Sequence, residues 1–171
     1  MNMNAEAISH SDAMRSMDAA GTQYLTFMLA GEEYGVDILR VQEIKGWDKP
    51  TAIPNTPSYL EGVINLRGAV VPIIDLRQRF DLERAQYDKT TVVIVLKVHG
   101  EKERTMGFVV DAVSDVYNVP NEAIRETPDF GVGVRTDFVK GIAMVNERML
   151  ILLDIEQLVD DGMRASTDAA A

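Results

Sequence analysis

GVINLRGAVVPIIDLRQ, residues 62–78, and GIAMVNERMLILLDIEQ, residues 141–157, read as one plan written twice. With Gly62 set on Gly141, no gap is needed. Asp75 then meets Asp154, Gln78 meets Gln157, and apolar residues meet at Val63/Ile142, Leu66/Val145, Val70/Met149, Ile73/Leu152 and Leu76/Ile155. A fainter match lies upstream, where Gly35-Val36 answers Gly107-Phe108 and Val41–Ile44 answers Val113–Val116. Apolar strands alternate alike, so chance similarity is the competing explanation. A true repeat makes a duplicated small domain. Such a body has a cleft and two comparable faces, which suits a connector better than a catalyst.

Around this pair the signals are mainly β. Tyr24–Leu29 alternates, with Leu25, Phe27 and Leu29 on one face; Gly31-Glu32-Glu33 turns it and Tyr34–Val36 returns. Asp37 is placed to cap a short helix whose apolar stripe is Ile38, Val41 and Ile44, ended by Gly46. Pro50, Pro54 and Pro57 mark an irregular or edge stretch, because proline lacks the donor a central strand needs. Gly62–Leu66 and Ala69–Ile74 form a hairpin turning at Arg67-Gly68, and Asp75 with Gln78 has the spacing of a capping box. Thr90–Val98 is almost continuously apolar, which predicts burial on both sides, and Arg104–Val110 follows it. Pro120–Val134 reads as an irregular link turning at Pro128-Asp129. The second hairpin, Gly141–Val145 with Met149–Leu153, again leads into a capped helix, through about Asp161. Residues 1–20 and 163–171 read as flexible ends.

Many short strands with tight turns make an all-β protein with short helices, either a sandwich or small barrels. Each half holds about 65 residues, marginal as an isolated unit. The halves are therefore expected to bury apolar surface against each other.

Composition narrows the function. A net charge of −10 disfavours nucleic acid, whose phosphates repel surplus carboxylates, and disfavours anionic membranes more weakly. The absence of cysteine excludes disulfides, thiolate metal sites and cysteine nucleophiles. No apolar run is long enough to span a bilayer, and no cationic start leads an apolar block, so a cytoplasmic protein is the expectation. His10 and His99 adjoin no triad motif, and there is no DxDxDG loop, HExxH or GxxxxGK[ST] loop. The carboxylate pairs Asp111/Asp115 and Asp160/Asp161 lack the Gly-rich or aromatic surroundings of a substrate pocket. No catalytic residue, metal or cofactor is expected.

Binding is the better lead. Glu43, at the end of the predicted helix, and Arg67, at the top of the first hairpin, can pair at a groove lip or simply be solvated. Ile38, Val41 and Ile44 are core, groove wall or both; such a groove accepts an amphipathic helix, which presents apolar anchors every turn. Arg125 and Phe130, in the proline-containing link, are residue types that anchor interfaces, and Phe130 can equally fill the core.

The stretch VQEIKGWDKPTAIPNTPSYLEGVINLRGAVVPIIDLRQRF, residues 41–80, resembles the bacterial chemotaxis coupling proteins of the CheW-like family. The likeness runs from about Tyr24 to Val159, through TTVVIVLKV, GFVVDAVSDV and RMLILLDIEQLV. It implies two SH3-like five-stranded β-barrels packed around a shared core within residues 21–162. The first barrel would span roughly 22–88 and the second roughly 89–162, with strands free to interleave. The resemblance also implies a non-enzymatic adaptor that bridges the cytoplasmic tips of methyl-accepting chemoreceptors to the regulatory domain of the histidine kinase CheA. Ring contacts between copies, and recruitment to membrane-associated arrays without membrane insertion, belong to the same picture. On it, Val41, Glu43, Gly62 and Arg67, with Ile38 beside them, fall in a receptor-binding groove. Arg125 and Phe130 fall in the kinase or ring interface.

Other functions compete. The same scaffold can serve a non-motility kinase pathway, such as one governing pili or biofilm. A small-ligand-binding or hydrolytic double barrel would show saturable binding or turnover by the protein alone. A nucleic-acid-binding barrel comes last, given the acidic balance.

Overall fold

The computed structural model describes residues 21–82, 86–100, 102–127 and 138–159. The expected ends at 1–20 and 163–171 and the turn at Pro128-Asp129 lie outside them. The strands are β1 Gly21–Leu29, β2 Glu32–Asp37, β3 Val41–Gly46, β4 Leu60–Leu66, β5 Ala69–Asp75, β6 Val92–Val98, β7 Arg104–Val110, β8 Ala112–Pro120, β9 Ile124–Arg125, β10 Val139–Val145 and β11 Arg148–Leu153. Helix α1 is Leu76–Arg79, residues 155–159 are helical, and 3-10 turns occupy Ile38–Arg40 and Asn121–Ala123.

Two sheets form, with orders β3-β6-β7-β5-β4 and β8-β1-β2-β11-β10-β9. In each, the chain leaving the first strand returns to the far edge. Thr51, beyond β3, bridges Val63 of β4, and β9, beyond β8, pairs with Ile142 of β10. The result is two SH3-like barrels of five principal strands, all-β with short helices.

The repeat is real down to its register. In the first hairpin Leu60 faces Ile74 and Gly62 faces Ile73, with an irregularity between; in the second, Val139 faces Leu153 and Gly141 faces Leu152, with the same irregularity. The upstream match holds too. Gly107 of β7 lies parallel to Ile73 of β5, as Gly35 of β2 lies parallel to Leu152 of β11. These parallel pairings cross between the halves. Strands β1 and β2 therefore join β8–β11, while β6 and β7 join β3–β5. One barrel is built from residues 41–110 and the other from 21–37 with 112–153. The division between barrels does not fall near residue 88.

Strand period two explains the cores. On β1, Tyr24 points into its own barrel, while Leu25, Phe27 and Leu29 point to a core shared by both barrels. On β6, Val93 and Val95 fill the other barrel, while Ile94, Leu96 and Val98 join the shared core. Phe108, Val110, Ile74, Leu153 and Leu158 complete that core. Burial on both faces is why β6 carries an almost unbroken apolar run.

Three local expectations are corrected. Only Ile38–Arg40 coils, capped by the Asp37 carboxylate, which accepts from the Leu39 N–H at 3.0 Å. Val41–Gly46 is a strand, because the edge of β6 offers it a full ladder that places Val41 against Leu96 and Ile44 against Ile94. The β1–β2 hairpin turns at Ala30-Gly31, both at positive φ, and Glu32 already faces Leu29. The Asp75 carboxylate caps α1 by accepting from the Arg77 N–H at 3.0 Å, while the Gln78 amide donates to Glu61 at 2.8 Å. The box spacing does hold at Asp154, which accepts from the Gln157 N–H at 3.2 Å.

Candidate functional site

The first barrel is closed at its seam by side chains as well as backbone. Edge strand β3 alternates, with Val41, Glu43 and Lys45 half-buried and Gln42, Ile44 and Gly46 exposed. From the opposite edge, the β4–β5 turn presents Arg67, held at φ +53, with the Asn65 side chain accepting from the Gly68 N–H at 2.8 Å. Arg67 Nη2 lies 3.3 Å from Glu43 Oε2. The arginine side chain is 74% exposed and the glutamate 23%. Such a pair contributes only ~0–1 kcal/mol, so its main effect is to shape surface charge. The second carboxylate oxygen, Glu43 Oε1, is buried and has no hydrogen-bond partner among the described residues.

Gly62 fixes the backbone below this turn. It sits at φ +142 in the β4 irregularity, and a Cβ there would lie 2.1 Å from the Thr51 carbonyl oxygen. Its absence lets Thr51 and Val63 exchange two hydrogen bonds of 2.9 Å. Ile38 and Val41 pack against the shared core, whereas Ile44 on the same edge strand is exposed. The fold thus brings Glu43 to Arg67 and sets Val41 and Gly62 in the same barrel. Arg125 is exposed on β9, in the other barrel. Phe130 lies outside the described residues.

One cluster escaped sequence reading. The Arg77 side chain is fully buried and donates through Nε and Nη2 to the two oxygens of buried Asp75, each at 3.1 Å, and through Nη1 to Asp111 at 3.1 Å. It lies 5.0 Å from the centre of the Tyr87 ring, which stacks on Trp47 at 4.0 Å. Burial lowers the Arg77 pKa, but the hydrogen bond and charge of Asp75, with Asp111 and Tyr87, outweigh it and raise the value above that of a free guanidinium. Asp111, considered above as half of a carboxylate pair, is thereby committed to structure. The available signal was a mismatch within the repeat, where Asp75-Leu76-Arg77 stands against Asp154-Ile155-Glu156.

Residues 23–163 match the CheW-like domain in a comparison with protein families. The chain belongs to the CheW-like family. The chemotaxis protein CheW of Klebsiella aerogenes is 48% identical over 154 residues, covering 90% of this chain and 91% of that protein. The chemotaxis protein CheW of Bacillus subtilis is 34% identical over 141 residues, covering 82% and 88%. The crystal structure of the scaffolding protein TtCheW from Thermoanaerobacter tengcongensis matches with a TM-score of 0.73 at 35% identity, over 81% of this chain and 92% of that one. The CheW-like pair of β domains is therefore common to this chain and a solved scaffolding protein.

Proposed function

We propose that this protein is a non-enzymatic scaffold that couples transmembrane chemoreceptors to the histidine kinase CheA. The observation that carries this is 48% identity to a chemotaxis protein CheW along nine-tenths of both chains. Glu43 and Arg67, with Ile38, Val41 and Gly62 around them, form the receptor-facing site. A receptor tip is a helical hairpin, so it lies helix-in-groove beside the exposed Ile44. Arg125 and Phe130, in the chain's second half, serve the kinase and ring contacts. Separate surfaces permit both partners at once, and the signal passes as a change of geometry between them. Modest single affinities sum to a stable array through multivalency. The protein works in the cytoplasm and reaches the membrane through its partners. No helix among the described residues is long and apolar enough to cross a membrane.

The test is a pelleting assay that combines receptor-bearing membranes, CheA and this protein. CheA should sediment with the membranes only when the protein is present. Equal sedimentation without it defeats the proposal.

A further inference from the structure

The chain passes between the barrels at two places, through Ile38–Arg40 from β2 to β3 and through Asp111 from β7 to β8. The second crossing is a single residue, and its polar groups reach into both barrels. Its backbone N–H donates to the Met28 carbonyl at 3.0 Å, and its Oδ2 accepts from the Ala30 N–H at 2.9 Å. Both partners belong to the barrel of residues 21–37 and 112–153. Its Oδ1 accepts from Arg77 at 3.1 Å, and its carbonyl oxygen lies 2.9 Å from the Thr90 hydroxyl oxygen. Arg77 belongs to the other barrel, and Thr90 lies two residues before β6 of that barrel. The longer crossing is pinned as well, by Arg40 at 2.9 Å from Glu156 in the helix that follows β11.

We infer that Asp111 and Arg77 are positioning residues that set the angle between the two barrels. Through that angle they set the spacing of the receptor-facing and kinase-facing surfaces, a consequence that rests on the function proposed above. The shared apolar core opposes separation of the barrels, but hydrophobic attraction is non-directional and resists rotation poorly. Hydrogen bonds are directional. An ion pair buried on one side adds little net stability against an apolar equivalent; here its directionality falls on the single-residue crossing.

The chain has no cysteine, so two introduced thiols can be labelled cleanly. Spin labels on Lys97→Cys in β6 and Glu122→Cys in the other barrel, both exposed positions, read the inter-barrel distance. The parent pair should give one narrow distribution. Asp111→Asn keeps an acceptor for Ala30 but turns a donor toward the guanidinium, and should at least double the width. Asp111→Ala should widen it further. With receptors and CheA, Asp111→Asn should still pellet with both partners while receptor control of the kinase falls several-fold. An unchanged width in the folded Asn variant overturns the inference, as does full receptor control. Failure of Asp111→Asn to unfold cooperatively overturns it too, by assigning the residue to stability. Distances are measured on the free protein, so a failure of the scaffold proposal, seen as no co-pelleting by the parent, leaves them standing.

Discussion

Arg77 and Asp75 are both fully buried, and two hydrogen bonds of 3.1 Å join the guanidinium to the two oxygens of the carboxylate. The geometry satisfies charges that would otherwise be stranded. Arg77→Met keeps the volume but removes the guanidinium, leaving the buried Asp75 charge with only the residue-77 N–H and the Tyr87 hydroxyl as donors among the described residues. The expected loss is about 3–5 kcal/mol, which for a chain of this size lowers Tm by roughly 6–20 °C. The single tryptophan, Trp47, stacks on Tyr87 beside Arg77 and reports the transition by fluorescence in a urea titration. A loss below about 1 kcal/mol, the range of exposed pairs, would show that Asp75 has other means of satisfaction.

Gly62 is a steric necessity. Gly62→Ala drives a Cβ toward the Thr51 carbonyl oxygen and forces a non-glycine residue to positive φ. We expect a cost of about 1–3 kcal/mol from the backbone strain alone. Loss of hydrogen-exchange protection at the Thr51 and Val63 amides should accompany it. Protection retained at both would mean that the strand edge moves without opening.

Arg67→Glu places like charges at the seam. Because the Arg67 side chain is mostly exposed, stability should change by no more than about 1 kcal/mol. Receptor-dependent activation of CheA should be lost while the fold persists by circular dichroism. Full activation by the folded variant would remove Arg67 from the receptor site.

Asp88 organises the turn into β6. Its Oδ1 accepts from the Thr90 hydroxyl at 2.7 Å, the Thr90 N–H at 2.8 Å and the Thr91 N–H at 3.2 Å. The Thr90 side-chain and backbone hydrogen bonds hold its pKa below the ordinary aspartate value. A depressed carboxylate stabilises the fold fully above its unfolded pKa, and that contribution fades as pH falls through the folded one. A carboxyl NMR titration should place Asp88 below the other exposed aspartates, and Thr90→Ala should move it upward. No movement would assign the depression to the backbone donors.

Much of the fold was legible before any tertiary contact was known. The hairpin at Arg67-Gly68 and the one expected at Asn146-Glu147-Arg148, where the structure turns at the first two residues, follow from alternation and turn chemistry, and double-sided burial of β6 follows from its almost unbroken apolar run. In the segment Val41–Ile44, the period of Ile38, Val41 and Ile44 predicts a helix where the structure has a strand. Its repeat partner, Val113–Val116, lies in β8 and is extended, and that was the better guide. The Glu43–Arg67 pair was within reach because both residues sit at predicted element ends. The Arg77 cluster was not, since nothing local distinguishes a buried arginine after a capping aspartate from a solvated one.

By itself the sequence determined the duplicated strand plan, the two matched hairpins and the absence of thiol chemistry. The tertiary structure decided which barrel each strand joined and that Asp111 would meet Arg77. Those outcomes depend on the parallel pairings of β5 with β7 and of β2 with β11. Their partners lie far apart in sequence, and only burial of a core common to both halves selects them over pairing within each half.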